Sequence, residues 1–577
     1  MEEINQQSAL VIFGGRLPKK SKKWYQQFNE VIGPEKLKTF ISSGNVQEAY
    51  QMVNSLSRLT TSDGLRLSKL ITYKGYELWW MNYGFIEYKF CLPYLENRKL
   101  LEYLKKFGSV YLYRPQHPEL FFYFLEAYDC RCVEIKNWRD RLRKRLLPGG
   151  VLIQLLLSFL FLPVLMLMRP KAMYRIGDQI DPPHSYDFRH EYVYRELKKR
   201  KIKFVEFIRS LQPWHKVLRN AWRRKRPAIY CTAITYFILE KLSFFEKRKD
   251  KKLIQKIRSE GRSPEERFWL YCATHFLSGK IRATGWSIEI MELLLKAVGV
   301  KASIIISASS RALPEVLGCQ LAGIKTIGIQ HGLAFCWYLP HDFMPEYDGE
   351  KQLSIDKYGL WSAWWKEYYL AHSKAYKQEQ LYISGPMRPL EKEPAIVTSA
   401  DFKAGSLKVL FISEQLAAPE EIMPYLAAAL NCKEFVLSLK VRPQADGFEE
   451  WLKKNNPGIL GKLTISRDDI HKAIAQSDVV VGSHSTAVLE ALCQLKPFVF
   501  FWTNKWGDYY GIKDFDSQGY FFAASPADFT DKIKKSGQMP KEDLKKLQER
   551  FFGDPYQNGS KWVVDQVENF IKKHDAR

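Results

Sequence analysis

A chain of 577 residues is too long for one hydrophobic core, and at 46% hydrophobic and 14% aromatic residues it is not a disordered one. Its formal charge of +25 directs it toward anionic surroundings: membrane lipid, nucleic acid or phosphorylated ligands. Nine cysteines at irregular intervals exclude a zinc-type framework and read as reduced, mostly buried thiols; the opening Met-Glu-Glu-Ile-Asn lacks a secretory signal, so a cytoplasmic location is expected.

Residues 9–13, followed by Gly14-Gly15, allow a strand and turn, and 19–23 is a charged run; the region 1–75 stays unassigned to either domain. From 76 the pattern clears. A strand is predicted at 76–80, a helix at 97–107 with Asn97 as its cap, a strand at 109–113, a helix at 118–128 and a strand at 131–135. This alternation is a βαβ pattern.

Residues 149–168 are twenty in a row without a charge, enough to cross a bilayer's hydrocarbon. Pro163 would kink such a helix. Cations flank both ends: Lys136, Arg139, Arg141, Arg143, Lys144 and Arg145 before it, Arg169, Lys171 and Arg175 after it. A spanning helix keeps its cations on one side. Two basic flanks predict a re-entrant or in-plane segment meeting anionic lipid, with a buried core helix as the alternative.

Beyond it come a strand at 172–176, a helix at 187–200 and a strand at 203–208. Arg223-Arg-Lys-Arg226 is the peak of a basic stretch, expected to be a solvated face or to reinforce lipid contact. No nucleic-acid reader module accompanies it, so nucleic acid is not an expected partner. Helical spacing covers 263–298, then a strand 302–306, a helix 313–322 and a strand 325–329 that runs into Gln330-His331-Gly332. Polar residues at the carboxyl end of a parallel strand lie where open α/β sheets put ligands. Residues 333–400 read as a connector, with a tryptophan-rich helix at 358–369 and a short strand at 381–384 before Gly385-Pro386.

A second α/β unit follows. Its predicted strands are 407–412 (ending at Ser413-Glu414), 435–441 (ending Lys440-Val-Arg442-Pro443), 463–465, 479–481 and 498–501, and its helices 420–430, 470–476, 544–551 and 562–571. Between the strands at 479 and 498 lies Gly482-Ser483-His484-Ser485-Thr486, with Val488, Leu489, Leu492 and Leu495 at helical spacing behind it. A helix start offers unpaired N–H groups and hydroxyls to phosphate, although Ser485 or Thr486 capping the helix explains the same residues.

Taken together, Gln330-His331-Gly332, Gly385-Pro386, Lys440-Val-Arg442-Pro443 and Gly482-Ser-His-Ser-Thr…Glu490-Ala491 resemble the glycosyltransferases of GT-B architecture. More narrowly they are similar to bacterial surface-polysaccharide and capsule transferases, with echoes of sialyltransferase, polysialyltransferase and glycerophosphotransferase groups. The resemblance implies an α/β fold of two Rossmann-like domains facing a cleft: 76–345 for the acceptor and 401–577 for the nucleotide-sugar donor, with 346–400 as hinge. It implies a metal-independent enzyme without a cofactor, at the cytoplasmic face of the cell membrane, whose partners are a nucleotide-sugar donor, a glycan or lipid-linked acceptor and anionic lipid. Ser483, Ser485 and Thr486 would hold the donor phosphate, Lys440 and Arg442 would neutralise the leaving group, and Glu490 would contact the ribose. His331 is the first candidate for the base that inverting transfer requires and Asp187 the second, while His484 would be a contact. Gln330, Gly332, Gly385 and Glu414 would line the cleft. Arg442 stands where such families often carry histidine. The pair of glutamates eight positions apart common in retaining enzymes is absent, since Gly482 precedes Glu490 at that spacing. Rival readings are a sugar-nucleotide 2-epimerase of the same fold, a CDP-glycerol glycerophosphotransferase, and a non-catalytic basic scaffold.

Overall fold

Runs of β-branched and aromatic residues buried on both faces dictate parallel sheets covered by helices. The computed structural model describes residues 7–576 apart from 15–21, 43–44, 62, 71, 136–147, 181–184, 240–262, 278–279, 307–311, 331, 334, 338–342, 391–405, 415–416, 443–446, 484, 504–505 and 509–510. Its strands are β1 Ser8–Ile12, β2 Glu30–Ile32, β3 Thr72–Tyr73, β4 Tyr76–Glu77, β5 Ser109–Tyr113 and β6 Arg131–Ile135, then β7 Ala172–Gly177, β8 Phe204–Arg209, β9 Ala228–Ile229, β10 Ala302–Ile305, β11 Lys325–Ile329, β12 Lys357–Leu360 and β13 Leu381–Ile383. The last set is β14 Leu407–Ile412, β15 Phe435–Lys440, β16 Thr464–Ser466, β17 Val479–Gly482, β18 Phe498–Phe501 and β19 Phe522–Ala523. Five helices matter below: α1 Gly149–Met168, α2 Trp214–Arg224, α3 Ala363–His372, α4 Thr486–Leu489 and α5 Gly559–Asp575.

Three parallel sheets result. The largest runs β9-β8-β7-β10-β11-β12-β13, and the C-terminal one β16-β15-β14-β17-β18-β19. Numbered within each unit, both contain the order 3-2-1-4-5-6 of a doubly wound Rossmann sheet, the larger adding one edge strand. The order reverses between β7 and β10 in one and between β14 and β17 in the other, and ligands of open α/β sheets bind at such switch points, outside the carboxyl ends of the strands.

The third sheet was not expected. Strands β2-β1-β5-β6 form a separate parallel unit from residues on both sides of position 75, so the expected 1–75 and 76–345 regions divide one sheet between them. Two further boundaries move. Strands β12 and β13 lie on the edge of the large sheet, so much of the supposed connector belongs to that sheet, and 357–360 is strand rather than helix. Helix α5, which the sequence pattern places with the C-terminal unit, packs on the large sheet instead: Val563, Val564 and Val567 share its core with Ile327 and Ile329, and Arg200 bridges to Asp565 (2.5 Å) and Glu568 (2.9 Å).

The predicted strand at 76–80 is a two-residue hairpin strand leading into the helix Trp79–Ile86. Trp79, Trp80, Met81, Tyr83 and Ile86 are all buried. An aromatic run buried at every position but Phe85 lacks the periodicity that separates helix from strand. Asn97 is no cap; it lies inside the helix Leu92–Leu104 and its Nδ2 donates to the Pro93 carbonyl at 2.8 Å. The basic cluster at 223–226 is split. Arg224, 1% exposed, binds Asp178 (2.7 Å) and Glu206, and Arg226 also binds Glu206, so two of the four cations face inward. Burial works against the Glu206 charge, but the two guanidiniums hold its carboxyl below the usual range.

Helix α1 is unbroken through Pro163. Its inward stripe is Gly150, Gln154, Ser158 and Leu165, whereas Leu152, Leu156, Phe159, Leu160, Val164 and Leu167 are exposed. The Ser158 hydroxyl accepts from the Tyr230 N–H at 2.9 Å and donates to the Gln154 carbonyl at 2.8 Å, fastening the polar side of the helix to the large sheet's edge. It is the one helix among the described residues long and apolar enough to cross a membrane.

Candidate functional site

The switch point of the C-terminal sheet lies between the ends of β14 and β17, and two of the expected residues meet across it. The Ser483 hydroxyl donates to Glu414 Oε1 at 3.0 Å, and the same oxygen accepts the Ala417 N–H at 2.8 Å. Both side chains are buried, so Glu414 acts here as a brace for the loop after β17. Gly482 is required by packing: a Cβ would stand 2.7 Å from Val488, the residue that closes the turn over the strand. Ser485 caps α4, its hydroxyl accepting the Ala487 N–H at 3.3 Å. The expected regular helix does not follow. A single α-turn, Thr486–Leu489, tightens into a 3-10 turn, Glu490–Gln494, that ends at Leu495 with φ 51°. So short a helix carries little macrodipole, and anion binding here rests on local N–H groups and hydroxyls.

Facing this turn is the end of β11. Gln330 is fully buried and all its polar groups are used: Nε2 donates to the Gly332 carbonyl (3.0 Å), Oε1 accepts the Trp361 N–H (3.1 Å), and its carbonyl accepts Trp361 Nε1 (2.8 Å). Gln330 therefore clamps the turn rather than presenting itself to a ligand. A Cβ placed on Gly332 would lie 3.4 Å from the Thr486 methyl. The turns after β11 and β17, one from each Rossmann-like sheet, thus touch. His331 and His484 themselves lie outside the described residues.

Around this junction, Lys440 is buried with Nζ donating to the Val441 carbonyl at 2.7 Å, and burial lowers its pKa from the ordinary lysine value. Arg442 is half-buried just beyond the end of β15. Glu490 turns to His471: Oε2 stands 3.3 Å from Nε2, at ion-pair distance but without hydrogen-bond geometry. Burial opposes both charges, yet each holds the other, so the His471 pKa is raised and that of Glu490 lowered, with Arg388 adding to the latter. His471 and Arg388 were not among the expected residues. His471 is 19 positions from Glu490 and carries no motif, although Arg388 stands two residues after the legible Gly385-Pro386 pair.

Gly385 lies where the chain leaves the large sheet. With φ +75° and a Cβ position 2.5 Å from the Gln557 carbonyl, it admits only glycine, and its role is structural. Asp187 is fully buried beneath the large sheet's switch point, beside Gly177, with Arg189 donating through Nε (2.9 Å) and Nη2 (2.5 Å). Burial raises its pKa but the guanidinium prevails and the net value is lowered, which opposes a base's task of accepting a proton. The helix behind it, Glu191–Lys199, starts four residues later than expected.

An aromatic seam joins the two halves beside the touching turns: Trp361 stacks on Phe552 (4.8 Å), Phe335 packs on Phe515 (5.7 Å), and Trp365 Nε1 of α3 donates to the Phe551 carbonyl (2.8 Å). A shallow depression lined by Lys366, Gln378, Glu379, Tyr382 and Ile383 lies on the outer edge of the large sheet and contains none of the expected residues. Among the described residues no three His, Cys, Asp or Glu side chains gather as metal ligands.

No protein-family model matches the chain, and no curated protein matches it. Among solved structures it is similar to the S. aureus MnaA–UDP complex (12% identity over 70% of this chain and 97% of that one, TM-score 0.40). It is likewise similar to the Neisseria meningitidis UDP-GlcNAc 2-epimerase bound to UDP-GlcNAc (11%, 69% and 100%, 0.38) and to the wall teichoic acid polymerase TagF (9%, 77% and 100%, 0.37). These likenesses are too remote to bear on fold or function, which rest on the chain's own sheets and side chains.

Proposed function

We propose that the protein is a membrane-associated, inverting glycosyltransferase of the GT-B type. It transfers a sugar from a nucleotide-sugar donor to a cell-surface polysaccharide or lipid-linked glycan. The observation that carries this reading is the approach of Gly332 to Thr486, which makes the carboxyl ends of two Rossmann-like sheets walls of one site. In this reading the hydroxyls of Ser485 and Thr486 and the N–H groups of their turn hold the donor phosphate, while Ser483 and Glu414 keep that turn in place. Lys440 and Arg442 face the charge that grows on the leaving nucleotide. Glu490, 22% exposed at its side chain and held by His471, keeps acceptor capacity for a ribose hydroxyl. His331, between Gln330 and Gly332 in the sequence, takes the proton from the acceptor hydroxyl as that oxygen attacks the anomeric carbon and the nucleotide departs with the bonding pair. Asp187 is left out of the proton transfer, since Arg189 stabilises its charged form.

The test is a thermal-shift series with UDP, GDP, CMP and CDP on the parent protein and on Ser485→Ala. One nucleotide at about a hundred times its Kd should add roughly 2.7 kcal/mol of stability to the parent and much less to the variant. If no nucleotide stabilises the parent, the reading fails and a non-catalytic scaffold replaces it. If the stabilising nucleotide's sugar is altered with no acceptor present, the epimerase reading replaces it.

A further inference from the structure

Helix α1 is built inside out. Its buried stripe carries glycine, glutamine and serine with a single leucine, Leu165, and its exposed stripe carries leucine and phenylalanine, with Phe159 at 71%, Leu160 at 69% and Leu167 at 86% exposure. In water this arrangement is unfavourable, because about 25 cal/mol is lost for every Å² of apolar surface left wet. The face is not isolated. Helix α2 lies alongside: a Cβ on Gly149 would stand 3.6 Å from the Trp214 ring, and one on Gly150 only 2.5 Å from the Gln212 carbonyl, so the glycine pair lets the two helices start in contact.

Helix α2 has the same peculiarity in milder form. Trp214, Leu218 and Trp222, four apart and therefore on one stripe, are all exposed, Trp222 at 84%, and Leu211 just before the helix at 81%. Exposed among them are Lys216, Arg219 and Lys225, while Arg224 is turned inward. Arg169 is exposed at the end of α1. Aliphatic side chains on one helix, tryptophans and cations on its neighbour, form the profile of a surface that sinks into the hydrocarbon boundary while its indoles and cations rest among headgroups.

We infer that α1 and α2 together form a two-helix platform lying in the plane of an anionic bilayer, with α1 buried in the outer acyl region and α2 at the headgroup level. This deepens the reading of 149–168 as membrane-associating, from which it takes its partner, and it does not depend on the transferase chemistry. Charge selects the occupant. A second copy docked by the same face would set its cations against these, whereas acidic headgroups complement them. The bond from the Tyr230 N–H at the sheet edge to Ser158, with Gly150, Gln154 and Leu165 buried on the same side, keeps α1 on the domain along its length, which is the geometry of a helix that lies in a membrane rather than across it.

The test is co-sedimentation of the full chain with phosphatidylcholine vesicles containing about one third phosphatidylglycerol, and with pure phosphatidylcholine. The parent should bind the anionic vesicles, and Leu218→Ser/Trp222→Ser should reduce that partition about tenfold or more while melting at the parent's temperature. Phe159→Ser/Leu160→Ser should do the same. Lys216→Gln/Arg219→Gln should erase the preference for anionic over neutral vesicles. If the α2 apolar variant binds like the parent, the two-helix platform is overturned while α1 keeps its membrane role. If the parent binds neither vesicle, membrane association itself fails. A concentration-dependent dimer in buffer, lost in Trp222→Ser, would overturn the lipid assignment in favour of a second copy.

Discussion

Two helices pack on the same large sheet and obey opposite rules. Helix α5 turns Val563, Val564 and Val567 inward and leaves Lys561, Lys572 and Lys573 outside; α1 turns Gln154 and Ser158 inward and leaves Leu152, Leu156, Phe159, Leu160 and Leu167 outside. Both use the same 3.6-residue period. The difference teaches that periodicity locates two faces but not which of them meets protein.

The sharpest way to break the comparison is to put one charge on each helix. Val564→Asp buries an unpaired carboxylate against Ile327 and Ile329 and should cost more than about 4 kcal/mol in urea unfolding. Phe159→Asp on α1 should shift the same curve by less than about 0.5 kcal/mol; a large loss there would mean that the α1 outer face is packed in the native protein. Next in size is the contrast within α2. Arg224→Ala leaves Asp178 and Glu206 short of their buried partner and should cost about 3–5 kcal/mol, while Lys216→Ala should fall within about 0.5 kcal/mol of the parent.

A smaller effect tests the seat of α1. Gly150→Leu drives a side chain into the Gln212 carbonyl, whose backbone cannot swing aside, and should cost about 1–3 kcal/mol. The smallest concerns the His471–Glu490 pair. The His471 pKa is raised, so its contribution is complete below about pH 6.5 and fades as pH rises through the raised value; the Glu490 pKa is lowered, so its contribution is present above about pH 4.3 and fades as pH falls through the lowered one. Glu490→Gln should therefore cost about 1 kcal/mol near pH 6, with the gap to the parent narrowing toward pH 9 in thermal melts. A gap that is constant across that range would remove His471 from the pair.

Much of the large and C-terminal sheets was legible because buried parallel strands are written as short continuous apolar runs. Val479–Val480–Val481 and Val409-Leu-Phe-Ile412 are such runs, and both form strands where that pattern predicts. The Gly482 turn was legible for a related reason, since only glycine lets Val488 fold back over the strand end. What failed was of two kinds. Trp79–Ile86 is apolar without alternation, and composition alone does not separate a wholly buried helix from a strand. The partners of Gln330 and Glu490 are Trp361 and His471, set by how sheets and loops stack rather than by local spacing, so a glutamine expected at the cleft is instead a clamp. The third sheet escaped for the same reason, as its central strand β1 pairs with β5 about a hundred positions away.

Gly385, just after β13, and Gly559, at the start of α5, hold two passages of the chain that are fastened to one another: the Gly559 N–H donates to the Pro386 carbonyl at 3.0 Å, and neither glycine has room for a methyl group. Each glycine is thus hemmed in by the other's strand of chain, the Gly385 carbonyl standing 2.5 Å from where a Gly559 Cβ would be, so a methyl group at either position would disturb both passages at once.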